Sequence, residues 1–124
     1  MRKTIIIDGK EVELKASAAT LRRYKSWFNR DMLKDFGRVY RVYKEAETLA
    51  DEVGDTVKVE VSSEMLEIIQ DMTYVMARQA NKDVPKNVDD WLDQFDRFEV
   101  DRIGQDVIMF WLSSMQSEVE LKNA

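Results

Sequence analysis

Apolar residues recur along this chain with two different periods, and the change of period marks where the first turn gives way to the first helix. Ile5 and Ile7 alternate with Thr4 and Ile6, Val12 and Leu14 alternate with Glu11 and Glu13, and Asp8-Gly9 lies between the two runs. Asp-Gly readily supplies the positive φ values that a two-residue type I′ turn requires, so the pattern predicts a β-hairpin. That turn pairs Ile7 with Lys10, Ile5 with Val12 and Lys3 with Leu14. It places Ile5, Ile7, Val12 and Leu14 on one face and Ile6, Glu11 and Glu13 on the other. An isolated two-stranded hairpin is marginal in water, so its apolar face must lie on helices or on a partner.

Beyond the hairpin the spacing becomes helical. Ser17 is placed to cap a helix carrying Leu21, Tyr24 and Phe28, with Trp27 beside them, aromatics of the kind that fill a core. A second helix is expected to open near residues 29–31 and to run through Met32, Phe36, Tyr40 and Tyr43 to Leu49, weakened but not ended by Gly37. Helical character is lost across residues 51–55, where Gly54 suits a helix C-cap or a turn. Val57, Val59 and Val61 alternate with Lys58 and Glu60, the pattern of either a short third strand near residues 56–61 or an extended connector. Ser62 or Ser63 can cap a core helix bearing Met65, Ile68, Ile69, Met72, Val75 and Met76. Pro85 precedes a short helix that Asn87 can cap, with Val88, Trp91, Leu92 and Phe95 on one face. A last helix is predicted from about Glu99 to Leu121. The expected fold is mainly α with an N-terminal β-hairpin: one domain over residues 1–124, with the hairpin at 3–16 and a bundle of about five helices at 17–121.

The last helix points to partners. At 100° per residue its apolar positions cover an arc of roughly 200°, about twice what a surface helix needs. Either this helix is central to the bundle, or the flank containing Ile108, Leu112, Met115 and Val119 meets another protein chain. The open hairpin edge with Ile6 is a second candidate contact, since an exposed strand edge invites β-addition.

Composition narrows the function classes. The 124 residues contain neither histidine nor cysteine. The commonest general acid-base group and the strongest protein nucleophile are therefore missing, and disulfide and thiolate chemistry with them, so no enzyme and no cofactor are expected. Four glycines are few for a phosphate cradle, and no P-loop or dinucleotide fingerprint is present. Asp89, Asp90, Asp93 and Asp96 cluster, but they lack the glycine and distal glutamate of a calcium loop and sit on a helix, so no metal site is expected. No apolar run is long enough to span a membrane, and Arg2-Lys3 lead into a strand, so an uncleaved cytoplasmic protein is expected. Net charge is −5, with 12 Lys+Arg and 7 Asp+Glu in residues 1–50 against 7 and 17 in residues 51–124, or +5 and −10. Such polarity can dock the halves within one molecule, steer copies head to tail or attract a basic partner, and it also fits plain solvated helix faces.

Several segments, in order, carry a family likeness: a hairpin ending in LKAS, then AATLRRY, then WFNRDMLKD, and later YVMARQAN, VP and DDWLDQF. Together they span most of the chain, which resembles the tail assembly chaperones encoded by long-tailed bacteriophages and prophages of Gram-positive hosts. It departs from that pattern at Asn29, where a glycine is expected before Arg30-Asp31. The resemblance implies a non-catalytic factor that binds the tape measure protein, keeps it soluble, helps tail tube protein polymerise around it in the host cytoplasm, and is absent from the mature virion. It also implies a longer frameshifted product, of which this chain looks like the shorter form; as a mechanism, weak self-association is expected to present repeated apolar strips to an extended helical client. Two alternatives follow from other features. One is a nucleic-acid-binding regulator, because Arg22, Arg23, Lys25, Arg30, Arg38, Arg41 and Lys44 lie among aromatics. The other is a head-tail joining protein, which would remain in purified particles.

Overall fold

Asp8 and Gly9 both take positive φ, 50° and 73°, in this computed structural model, which describes the backbone of residues 1–123 and the side chains of residues 1–115. The type I′ turn therefore sets the register of β1 (Arg2–Ile7) against β2 (Lys10–Lys15), with Ile5 opposite Val12 and Lys3 opposite Leu14. Ile5, Ile7 and Leu14 are buried and Val12 is half-buried, while Ile6 faces outward. β2 packs on α3 and β1 on α5, which gives the hairpin the helical support it needs.

Five helices follow: α1 (Thr20–Phe28), α2 (Met32–Val53), α3 (Ser63–Ala80), α4 (Val88–Leu92) and α5 (Val100–Asn123). The caps explain most of their starts. Asp31 accepts from Leu33 N, Ser62 Oγ from Met65 N, and Asn87 Oδ1 from Asp89 N and Asp90 N. Asn29 ends α1 in the left-handed conformation, φ 55°, which asparagine tolerates better than other side-chain-bearing residues and glycine better still. α3 is the centre of the bundle: Ile69, Met72, Val75 and Met76 are fully buried, and it touches α1, α2, α4 and α5 as well as β2.

The structure corrects the expected elements at Ser17, at the end of α2 and at the end of α4, where Asp93, Phe95 and Asp96 lie beyond a helix that stops at Leu92, and it decides between the two readings of residues 56–61. Ser17 does not cap α1, which begins at Thr20; instead Ser17 Oγ accepts from Ala19 N and from Gln79 Nε2, while Thr20 Oγ1 donates to Gln79 Oε1. These bonds tie the entry of α1 to the end of α3. The second helix passes Leu49 and the polar stretch at 51 to end at Val53, because no residue before Gly54, φ 70°, opposes helical geometry. Residues 56–62 form no strand. Val59 is buried and Val57 and Val61 are half-buried, and Val57 and Val59 line one cavity with Ala46 and Ala50 of α2 without pairing to the hairpin. The alternation reflects one-sided burial, and the sheet keeps two strands among the described residues.

The α2–α5 crossing is set by one glycine. A Cβ at Gly104 would lie 2.0 Å from the Tyr43 hydroxyl oxygen and 2.3 Å from Cζ of its ring, so the ring lies directly on the α5 backbone. The hydroxyl then donates to the Val100 carbonyl at 2.6 Å. Burial, with Asp101 nearby, raises the Tyr43 pKa well above its ordinary value and keeps it a donor.

Candidate functional site

Tyr43 on Gly104 brings α2 and α5 together along one line, and above that line the two helices diverge into a trough. Its narrower part, about 380 Å³, lies between Tyr40, Lys44 and Glu47 of α2 and Gln105, Met109 and Leu112 of α5, with Ile108 on its floor. Glu47 and Gln105 also border a second, wider part of about 580 Å³, formed by the end of α2 and residues 54–59. From Tyr40 to Gly54 the trough follows α2 for about 21 Å, taking 1.5 Å per residue.

One row of α2 side chains forms this wall. Tyr40, Lys44, Glu47 and Asp51 fall within an arc of about 60° at 100° per residue. Tyr40 is 37% exposed and stacks on Phe36, ring centroids 6.0 Å apart. Across from it Met109 is 59% exposed, the most exposed of the large apolar side chains described. The row runs from apolar through cationic at Lys44 to anionic at Glu47 and Asp51. Lys44 and Glu47 lie 3.7 Å apart as an exposed pair, worth a few tenths of a kcal/mol.

The residues expected to meet partners are only partly brought together here. Leu112 lines the trough and is half-buried. Ile108 is 5% exposed, so it supports the floor and presents little surface. Met115 is half-buried against the core, and Val119 lies outside the residues whose side chains are described. Ile6 is exposed on the outer face of the hairpin and does not line the trough. Met109, which sequence reasoning missed, is the main exposed apolar residue of α5. The glycine five residues before it, where α5 must approach another helix closely, was the available signal.

Three of the seven cations that suggested nucleic acid are engaged by carboxylates. Arg30 is held by Asp35 at 3.0 Å and by Asp71, Arg38 pairs with Glu64 at 3.1 Å, and Lys44 with Glu47. Arg30 also donates to the Tyr24 hydroxyl, which itself donates to Asp35 Oδ2 at 2.5 Å, and its guanidinium lies 5.5 Å from the Tyr24 ring centre. Burial pushes the Asp71 carboxyl up to about 6, against the lowering effect of Arg30. This cluster fastens the α1–α2 corner to α3. Among the described residues no group of three or more Asp or Glu side chains is placed to hold a metal ion, and no helix is long and apolar enough to cross a membrane. Comparison with protein-family models, with curated proteins and with solved structures finds no match.

Proposed function

We propose that this chain is a non-catalytic tail assembly chaperone of a long-tailed phage or prophage, one that binds the tape measure protein and assists tail tube assembly in the host cytoplasm. The order and spacing of the LKAS, AATLRRY, WFNRDMLKD, YVMARQAN and DDWLDQF segments support the family reading. The observation that carries the mechanism is the open trough between α2 and α5, with Tyr40, Met109 and Leu112 on its walls. A tape measure protein is a long helical chain with exposed apolar surface, and a helix-walled trough suits a helix laid along it. Each contact is small and reversible. Weak self-association would line up several troughs along one extended client, so that avidity replaces a single tight site.

Co-expression with the tape measure protein of the same phage, followed by affinity purification and light-scattering chromatography, tests the reading. The expected result is a soluble complex, with the tape measure insoluble when expressed alone and with recovery lost on Met109→Glu. An insoluble client and an empty eluate, also in the presence of any longer frameshifted product, would overturn it.

A further inference from the structure

The charge placed along α2 works against the helix that carries it. Among its exposed charges, Lys34, Arg38, Arg41 and Lys44 all precede Glu45, Glu47, Asp51 and Glu52, with Asp55 just beyond the helix. The C-terminal end of a helix carries partial negative charge, so cations stabilise it and carboxylates oppose it. The last turn of α2 has no basic residue. Among the described residues, the exposed Lys44–Glu47 contact is the one ion pair made by any of those five carboxylates. Three of them, Glu47, Asp51 and Asp55, border the wide part of the trough. The apolar residues Tyr40, Met109 and Leu112 occupy its other part. The trough therefore has a polarity: Lys44 pairs with Glu47, and Asp51 and Asp55 further along make no ion pair among the described residues.

We infer that the trough takes an amphipathic helix of a partner protein with a defined charge pattern. Its apolar face seats on Tyr40, Met109 and Leu112, and Lys or Arg residues about two to three turns further along lie over Glu47 and Asp51, towards Asp55. The length fits: about 21 Å accommodates about four helical turns. The walls of the narrower part are helix side chains with no strand edge, so they offer an extended peptide none of the backbone pairing that β-addition uses. A second copy of this chain carries a net charge of −5 and matches an anionic end poorly. Nucleic acid would bring phosphates against the same carboxylates. Charge complementarity selects a basic-ended helix and fixes its direction along α2. The inference rests on the trough being the client site, and it adds which helices of a client are bound and in which orientation.

The test uses the full chain and two labelled peptides of about 18 residues with the same apolar helical face, one bearing Lys and the other Glu in its last two turns, read by fluorescence anisotropy. At about 50 mM salt the Lys-ended peptide should bind about tenfold more tightly, and the margin should narrow at about 500 mM. The double variant Glu47→Lys, Asp51→Lys should abolish or reverse the preference. Asp51→Lys relieves a last-turn clash with the macrodipole while Glu47→Lys loses only the exposed contact with Lys44, so the double variant should melt near the wild-type temperature, which separates lost recognition from lost folding. Equal affinity for the two peptides, or a preference that survives the double variant, overturns the inference. If both peptides bind equally and both are lost on Met109→Glu, the trough remains the client site and only the charge rule falls. If neither peptide binds while the tape measure protein still co-purifies, the trough assignment and the inference fall together and the chaperone reading stands.

Discussion

Asp71 is the residue whose chemistry is most strongly set by its surroundings. It is 3% exposed and shares Arg30 with Asp35, so one guanidinium serves two carboxylates and the cluster carries a net negative charge. Its pKa is raised from 3.8 to about 6, so the folded state holds this proton more tightly than the unfolded chain. The stabilisation that proton supplies is full below about pH 4 and is lost as pH rises through about 6. Asp71→Asn removes the titration. The stability of the wild type relative to this variant should therefore decline between about pH 4 and 6, as measured by urea unfolding at a series of pH values. A flat difference would mean that the raising effect of burial and the lowering effect of Arg30 cancel, and a difference that grows with pH would mean that Arg30 dominates. At the α2–α5 crossing, Gly104→Ala gains helix propensity of up to about 1 kcal/mol but drives a methyl group into the Tyr43 ring, and overpacking of this kind costs about 1–3 kcal/mol. A net loss of stability is expected, and Tyr43→Leu in the same chain should recover part of it. Tyr43→Phe alone leaves the ring in place and should cost about 1 kcal/mol through the lost bond to Val100.

At the level of elements, legibility follows how local the determining forces are. The hairpin register was readable because Asp8-Gly9 determines it within two residues, and the starts of α2, α3 and α4 were readable because Asp31, Ser62 and Asn87 cap them locally. Residues 51–53 carry no turn chemistry of their own, so the end of α2 at Gly54 was misplaced by several residues. The alternation of Val57, Val59 and Val61 reports which side is buried but not what buries it, and here the neighbours are helix residues, not a strand. The same gap explains the trough. The surplus apolar arc of α5 was visible in the sequence, but which flank stays open depends on where α2 crosses, and that is decided by the Tyr43–Gly104 contact across 61 positions of chain. Two substitutions on one helix separate the buried flank from the open one. Met109→Glu, at a 59% exposed site, should change stability by less than about 0.5 kcal/mol, whereas Ile108→Glu, at 5%, should unfold the protein. Thermal melts of the pair check it; equal damage from both would mean that Met109 is covered in solution, as by a second copy.

For the whole molecule, the division into a +5 and a −10 half is partly resolved within one chain. Arg30–Asp71 and Arg38–Glu64 both join a cation of the first half to a carboxylate of the second. What remains is a net charge of −5, and each copy repels the next. Head-to-tail charge steering would make self-association weaker as salt rises, because exposed charges more than about 8 Å apart are screened at physiological ionic strength. Association through exposed apolar residues such as Ile6, Leu33 or Met109 has the opposite sign, since salt removes the net repulsion and leaves the apolar contact. The pairing of Arg30, Arg38 and Lys44 within one chain favours the apolar case. Sedimentation velocity from about 50 to 500 mM salt should therefore show the weight-average mass holding or rising. Binding of a basic-ended helix in the trough should weaken over the same range, because there the charges on the two partners attract. Opposite salt responses are the signature expected of a factor that assembles through apolar contacts and selects its client by charge, and parallel responses would show one surface serving both.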